Sequence, residues 1–159
     1  MIRSARSTLS ALVVFLPILF AAPAISAAGE DPLITKPSPH DVPTTVQRLE
    51  AAVNSRGASV VAKIDHAAAA EASGLSLRPT VLVLFGNPKL GTPLMQSRQT
   101  VGLDLPLRVL VWQDAGGATQ LGYTSPDLIA TRHGITDRPE VVEKIAGALT
   151  AIADETTAP

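Results

Sequence analysis

Apolar positions along the chain follow two rhythms, one helical and one extended. Val42, Val46, Leu49 and Val53 share one face of a helix predicted over 42–56. Asp41 is its N-cap, Pro43 is tolerated in the first turn, and Gly57 marks the stop. Ser59 to Ile64 reads as a strand, and Ala67 to Ser73 as an alanine-rich helix ended by Gly74. Thr80 to Phe85 is a continuous apolar run, the pattern of a strand buried on both faces, and Leu107 to Trp112 is a second apolar strand. Asp114-Ala115-Gly116-Gly117 then turns the chain into a returning strand over 118–123. Val141, Val142, Ile145, Leu149 and Ile152 give a last helix its apolar face; Asp137 and Glu140 have capping-box spacing, and Pro139 sits in the first turn.

Three weaker elements complete the series. Leu33 to Lys36 is a short strand cut off by Pro37 and Pro39. Thr92 and Pro93 read as N-cap and first residue of a helix reaching about Thr100. Asp127 to Arg132 has room for one or two helical turns. The order β-α-β-α-β-α-β-β-α predicts an α+β domain, a sheet with helices packed on it. Residues 66–79 suffice for a crossover, so strands 59–64 and 80–85 are candidates for parallel pairing. Their following loops would then open at one sheet edge.

The N-terminus has a different pattern. Arg3 and Arg6 precede an apolar run from Leu9 to Ala22, Pro23 breaks it, and Ala24-Ile25-Ser26-Ala27-Ala28 supplies small residues. This predicts a signal peptide over 1–27, cleaved near Ala27, and a periplasmic or secreted product. The run is too short for a comfortable membrane span of roughly 20 residues. The expected organisation is a signal peptide over 1–27, a leader over 28–32, one domain over 33–153 and a disordered tail over 154–159. No membrane contact is expected after cleavage.

Charge and composition then narrow the chemistry. The chain has 13 basic and 14 acidic residues; without Arg3 and Arg6 the balance is 11 to 14, or −3. A mildly acidic domain argues against a nucleic-acid partner, which needs clustered Lys and Arg. The chain has no Cys, which removes disulfides, thiol redox catalysis and thiolate-held metals. Beyond the signal the aromatics are Phe85, Trp112 and Tyr123, so the core must be aliphatic. His40, His66 and His133 show no ligand spacing, and no metal or cofactor is expected. A Gly-x-Ser-x-Gly elbow and a dinucleotide fingerprint are both missing.

Three polar constellations remain. In Asp65-His66, at a strand-to-helix junction, Asp65 would orient His66 as a general base or metal ligand, or else simply cap the alanine helix. Phe85-Gly86-Asn87-Pro88-Lys89-Leu90-Gly91-Thr92-Pro93 follows a strand and leads into a helix. Asn87, Lys89 and Thr92 are candidate ligand-binding residues for an anionic group, or parts of a rigid turn. Arg108, inside an apolar strand, is a further ligand-binding candidate or the partner of Asp65 or Asp104. Trp112 and Tyr123, on facing hairpin arms, are candidate cross-strand neighbours.

Taken together, Ile64-Asp65-His66-Ala67-Ala68, the 85–95 block and Asp104-Leu105-Pro106-Leu107-Arg108-Val109-Leu110-Val111-Trp112 resemble the signature blocks of the DUF302 family. The resemblance covers about residues 33–135. It implies the TT1751-like α+β fold, a two-layer sheet-and-helix domain, often a dimer. It carries no established activity and no catalytic residues. The expected function is therefore an exported domain, a small-ligand-binding or accessory domain, with a small polar or anionic ligand near Asp65, His66, Asn87 and Lys89 and a homodimer as candidate partner. The alternatives are an enzyme using an Asp65/His66 acid-base pair, and a structural dimerisation module.

Overall fold

The computed structural model describes residues 33–159; the expected signal peptide and leader lie outside them. The elements run β1 (Leu33–Ser38), α1 (Val42–Ser55), β2 (Ser59–Asp65), α2 (His66–Ala72), β3 (Thr80–Gly86), α3 (Pro88–Ser97), a 3₁₀ turn (Gln99–Leu103), β4 (Leu107–Gln113), β5 (Thr119–Thr124), α4 (Pro126–His133) and α5 (Pro139–Thr157). The strands form one sheet in the order β1-β5-β4-β3-β2, and every neighbouring pair is antiparallel. The α+β, sheet-and-helix class expected from the pattern is the one observed.

The expected parallel pairing of β2 and β3 is not. Asp65 lies opposite Val81 and Ser59 opposite Gly86, so the two strands run in opposite directions. The reason lies in length. A seven-residue helix spans about 10 Å, whereas a seven-residue strand spans about 23 Å. Helix α2 is too short to carry the chain back along β2. The chain instead turns near Gly74, whose φ of +73° is the left-handed conformation glycine tolerates, and re-enters beside the strand end it left.

One sheet face is covered by helices. Val83 and Phe85, Val109 and Val111, and Leu121 and Tyr123 alternate onto it and are buried against Val46, Leu49 and Val53 of α1 and Ile145, Leu149 and Ile152 of α5. The other face carries Ile64, Leu82, Leu84, Leu110 and Trp112. Their burial is only partial, and Ile64 is exposed. Val109 pairs with Tyr123 and Trp112 with Gln120, so Trp112 and Tyr123 point to opposite faces instead of meeting. Trp112 lies over Gly122, where a Cβ would come within 3.0 Å of the indole ring.

Several boundaries also move. Strand β1 continues through Pro37 because it is an edge strand, where a missing N–H costs no ladder bond. Helix α3 begins at Pro88, capped by Asn87, so Thr92 and Pro93 lie inside it and not at its start. The expected Asp137–Glu140 capping box does not form. The N-cap of α5 is Arg138, and the Asp137 carboxylate instead accepts from Ser97 and Arg138. Helix α5 runs to Thr157 through the stretch expected to be a disordered tail. Arg48 of α1 donates to the carbonyls of Glu155, Thr156 and Ala158, at 3.1, 2.9 and 2.9 Å, and so satisfies orphan acceptors at the end of that helix.

Candidate functional site

Antiparallel pairing sends the two polar turns to opposite ends of the β2–β3 pair. Asp65 and His66 stand at one end; Asn87 and Lys89 stand at the other. The shared edge expected for these four residues therefore does not form.

At the first end, Asp65 Oδ1 accepts the Ala68 N–H at 2.9 Å. It caps α2, the second of the two roles open to it, and is not bonded to His66. His66 is exposed at the first position of that helix. A cavity of about 800 Å³ opens beside them between α1, α2 and the 75–79 segment. Lys63, Asp65 and Glu71 bring charge to it, and Leu75 and Leu77 form part of its wall while remaining exposed. Lys63 is already paired with Glu50 at 3.0 Å.

At the second end, Asn87 also works as a cap. Its Oδ1 accepts the Lys89 N–H at 2.9 Å, and its Nδ2 donates to the Gly57 carbonyl at 3.1 Å, which joins the β3–α3 turn to the α1–β2 turn. Lys89 and Thr92 point into solvent. Beside this turn is a cavity of about 450 Å³, whose wall combines Phe85, Leu90 and Met95 with Leu105, Leu107 and Leu149. Arg56, Ser59 and Asn87 are the polar side chains on its lining. Glycines shape the wall. A Cβ on Gly86 would reach Pro106 at 3.6 Å, and one on Gly91 would reach Leu105 at 3.5 Å. The second and third sequence blocks thus share one cavity; the first stands at the far end.

A third cluster sits where the 3₁₀ turn enters β4. Asp104 is 6% exposed and receives Arg108, Arg132 and His133. Of the two partners open to Arg108, the structure selects Asp104. Arg132 Nη1 lies 3.0 Å from both carboxylate oxygens, and His133 Nε2 lies 2.8 Å from Oδ2. On its other side, His133 Nδ1 lies 3.0 Å from Thr100 Oγ1. Burial works to raise the Asp104 pKa, but the hydrogen bonds from His133 and Arg132 and the Arg132 and Arg108 charges outweigh it and hold the carboxyl below its ordinary range. The sequence offered the Asp104–Arg108 pair but gave no sign of Arg132 or His133, because Asp104 and His133 are 29 residues apart and meet only through α4. The α5 part of the cavity wall was visible only as a helix face. Among the described residues, no group of three or more His, Asp or Glu is placed to hold a metal ion.

Comparison with known proteins bears on the family and the fold. The model of DUF302, a domain of unknown function, matches residues 34–152. Fluoride-specific ion channel FluC 1 of Brucella suis biovar 1 (strain 1330) is 42% identical over 118 residues, which is 74% of this chain and 46% of that protein. The protein of the same name from Brucella abortus biovar 1 (strain 9-941) matches at 42% over 44% of its length. The chain spans under half the length of these curated relatives. The crystal structure of an uncharacterized conserved protein DUF302 from Bacillus stearothermophilus superposes with a TM-score of 0.73 at 22% identity, over 79% of this chain and 98% of that one. At that identity the likeness speaks for the fold alone. The extent of the family match and the shared architecture lead to one statement: the chain belongs to the DUF302 family.

Proposed function

We propose that this is an exported accessory domain that binds a small apolar or amphipathic molecule in the cavity beside Phe85. The observation that carries this reading is the lining. A volume of about 450 Å³ lies in the range of small-molecule sites, and three polar side chains on an otherwise apolar wall match their usual chemistry. The ligand class moves from the polar or anionic one expected of the turns, because Asn87 is occupied as a cap and Lys89 is not on the wall. Export rests on the N-terminal pattern of Arg3, Arg6 and the 9–22 apolar run. The accessory role draws on the Brucella relatives, named as channels and more than twice as long as the matched segment. No helix among the described residues is long and apolar enough to cross a membrane. In this reading the shared segment is a module that works beside a membrane protein.

The test uses 1-anilinonaphthalene-8-sulfonate as an apolar probe and decanoate as its competitor. The wild-type domain is expected to enhance probe fluorescence saturably, and decanoate to displace it. Gly91→Leu and Ala148→Trp, which fill the cavity from two different helices, should each remove the decanoate-sensitive part. Unchanged displacement in both folded variants would refute the cavity reading. Native mass spectrometry of the chain expressed with its N-terminus would report cleavage near Ala27 and any retained ligand.

One observation favours self-association as a second property. Ile64, Leu82, Leu84, Leu110 and Trp112 line the sheet face opposite the α1 and α5 core, with Arg108 beside Leu84, and Ile64 is exposed and the others only partly buried. Five strands of about six residues give a footprint of roughly 500 Å², so two copies face to face would cover about 1,000 Å², the lower bound for a specific interface. The proposed occupant is a second copy of this chain. Analytical ultracentrifugation should show a dimer that Leu84→Lys converts to monomer; a monomeric wild type at high concentration would end this reading.

A further inference from the structure

We propose that Thr100, His133 and Asp104 form an acyl-transfer site, with Thr100 Oγ1 as nucleophile toward esters of carboxylic acids. The site is distinct from the apolar cavity, since none of the three residues lines it, and the two readings stand or fall separately.

The argument begins with the carboxylate. Asp104 and His133 have side chains only 7% exposed, whereas Thr100 is exposed. A hydroxyl on the surface is therefore backed by a buried imidazole, and the imidazole by a buried carboxylate. Arg108 and Arg132 keep that carboxylate ionised, so the imidazole nitrogen facing it, Nε2, carries the proton. In the neutral ring this leaves the Nδ1 lone pair toward Thr100 Oγ1, at 3.0 Å. A base within hydrogen-bond reach of a hydroxyl, itself oriented by a third group, is the arrangement that activates a weak nucleophile. Two guanidiniums would be enough to satisfy the carboxylate if support were all the cluster supplied. Arg108 and Arg132 are 46% and 52% exposed, and each bonds Asp104 through one nitrogen, which leaves N–H groups toward solvent beside the site.

The chemistry balances without a further reactant except water. The Thr100 hydroxyl gives its proton to His133 Nδ1 as Oγ1 bonds to the ester carbonyl carbon. The bond from that carbon to the alkoxy oxygen breaks, and the leaving oxygen takes the electron pair and then the His133 proton. Water next attacks the acyl-threonine, His133 takes a water proton and returns it to Oγ1, and the carboxylic acid leaves. Asp104 stabilises the transient imidazolium in both halves and stays ionised throughout.

The experiment treats the folded domain with p-nitrophenyl acetate. An initial burst of p-nitrophenolate is expected, with one acetyl group mapped by peptide mass spectrometry to Thr100. Thr100→Ala should lose both burst and label, and Thr100→Ser should keep them. His133→Gln should slow acylation by about 100-fold or more. Acetylation confined to lysines, or a burst of unchanged size and rate in Thr100→Ala, would overturn the proposal. Thr100 is exposed, so its two variants keep the test decisive if His133→Gln does not fold. Circular dichroism and thermal unfolding of each variant establish that the fold is intact.

Discussion

The two ends of the β2–β3 pair look equivalent along the chain, since each has a polar turn leading from a strand into a helix. In the structure they differ. The Asp65 end has the larger cavity, but its wall includes charged side chains and the exposed 75–79 segment. The Asn87 end has a cavity about half as large, bounded by Phe85, Leu149 and Ile152, which are themselves core residues. Beside it the Asp104 cluster holds the start of β4 to α4. A wall made of core is held in place by the same burial that folds the protein, so its shape persists without a ligand. On the proposed reading, volume alone would rank the two ends the wrong way.

Four substitutions would break or sharpen this contrast. The largest effect is expected from Phe85→Ala. It removes a side chain 2% exposed that serves both core and cavity wall, and should cost about 3–5 kcal/mol in chemical denaturation. Leu77→Ala, on the opposite cavity, should stay within about 0.5 kcal/mol, because that side chain is 48% exposed. Equal losses at the two positions would erase the distinction.

A smaller effect, about 1–3 kcal/mol, is expected for Asp104→Asn, which removes the negative charge facing two half-exposed guanidiniums and a buried imidazole and replaces one of their two acceptor oxygens by a donor. Its pH dependence has a definite sign. The folded carboxyl is held below its ordinary value, so between the folded pKa and the unfolded value of about 3.9 the unfolded chain binds more protons. The stabilisation is complete above that upper value and lost as pH falls through the folded one. Acid titration of stability should therefore flatten in Asp104→Asn relative to wild type below about pH 4. For Asp65→Ala a loss of about 1 kcal/mol is expected from removal of the α2 cap, with the decanoate-sensitive probe signal unchanged. Loss of that signal would tie the two ends together after all.

How much of this was legible in the chain follows from the range of the forces involved. Local signals found the elements. The Asp41 cap, the 42–53 helical stripe, the apolar runs at 80–85 and 107–112 and the Asp114–Gly117 turn all recur in the structure. The family resemblance named the fold. The direction of β3 was missed because an apolar run reads the same in either direction; only the length of α2 against that of β2 decides it. The α3 start was missed because Asn87-Pro88 and Thr92-Pro93 carry the same cap-and-proline signal, and the one nearer the strand prevails. Asp65 and Asn87 stand at strand-to-helix junctions, as the sequence indicates, and both spend their acceptor on a helix N-terminus. The Thr100–His133–Asp104 contact depends on α4 folding back to the 3₁₀ turn, a tertiary event with no local trace.

The placement of Trp112 has a practical consequence. It is the chain's single tryptophan, it stands on the open sheet face over Gly122, and it does not line the apolar cavity. The protein thus carries one tryptophan fluorophore, tuned to one surface. Its emission should shift to the blue when that face is covered and stay where it is when the cavity fills, so a single cuvette can tell assembly from ligand uptake.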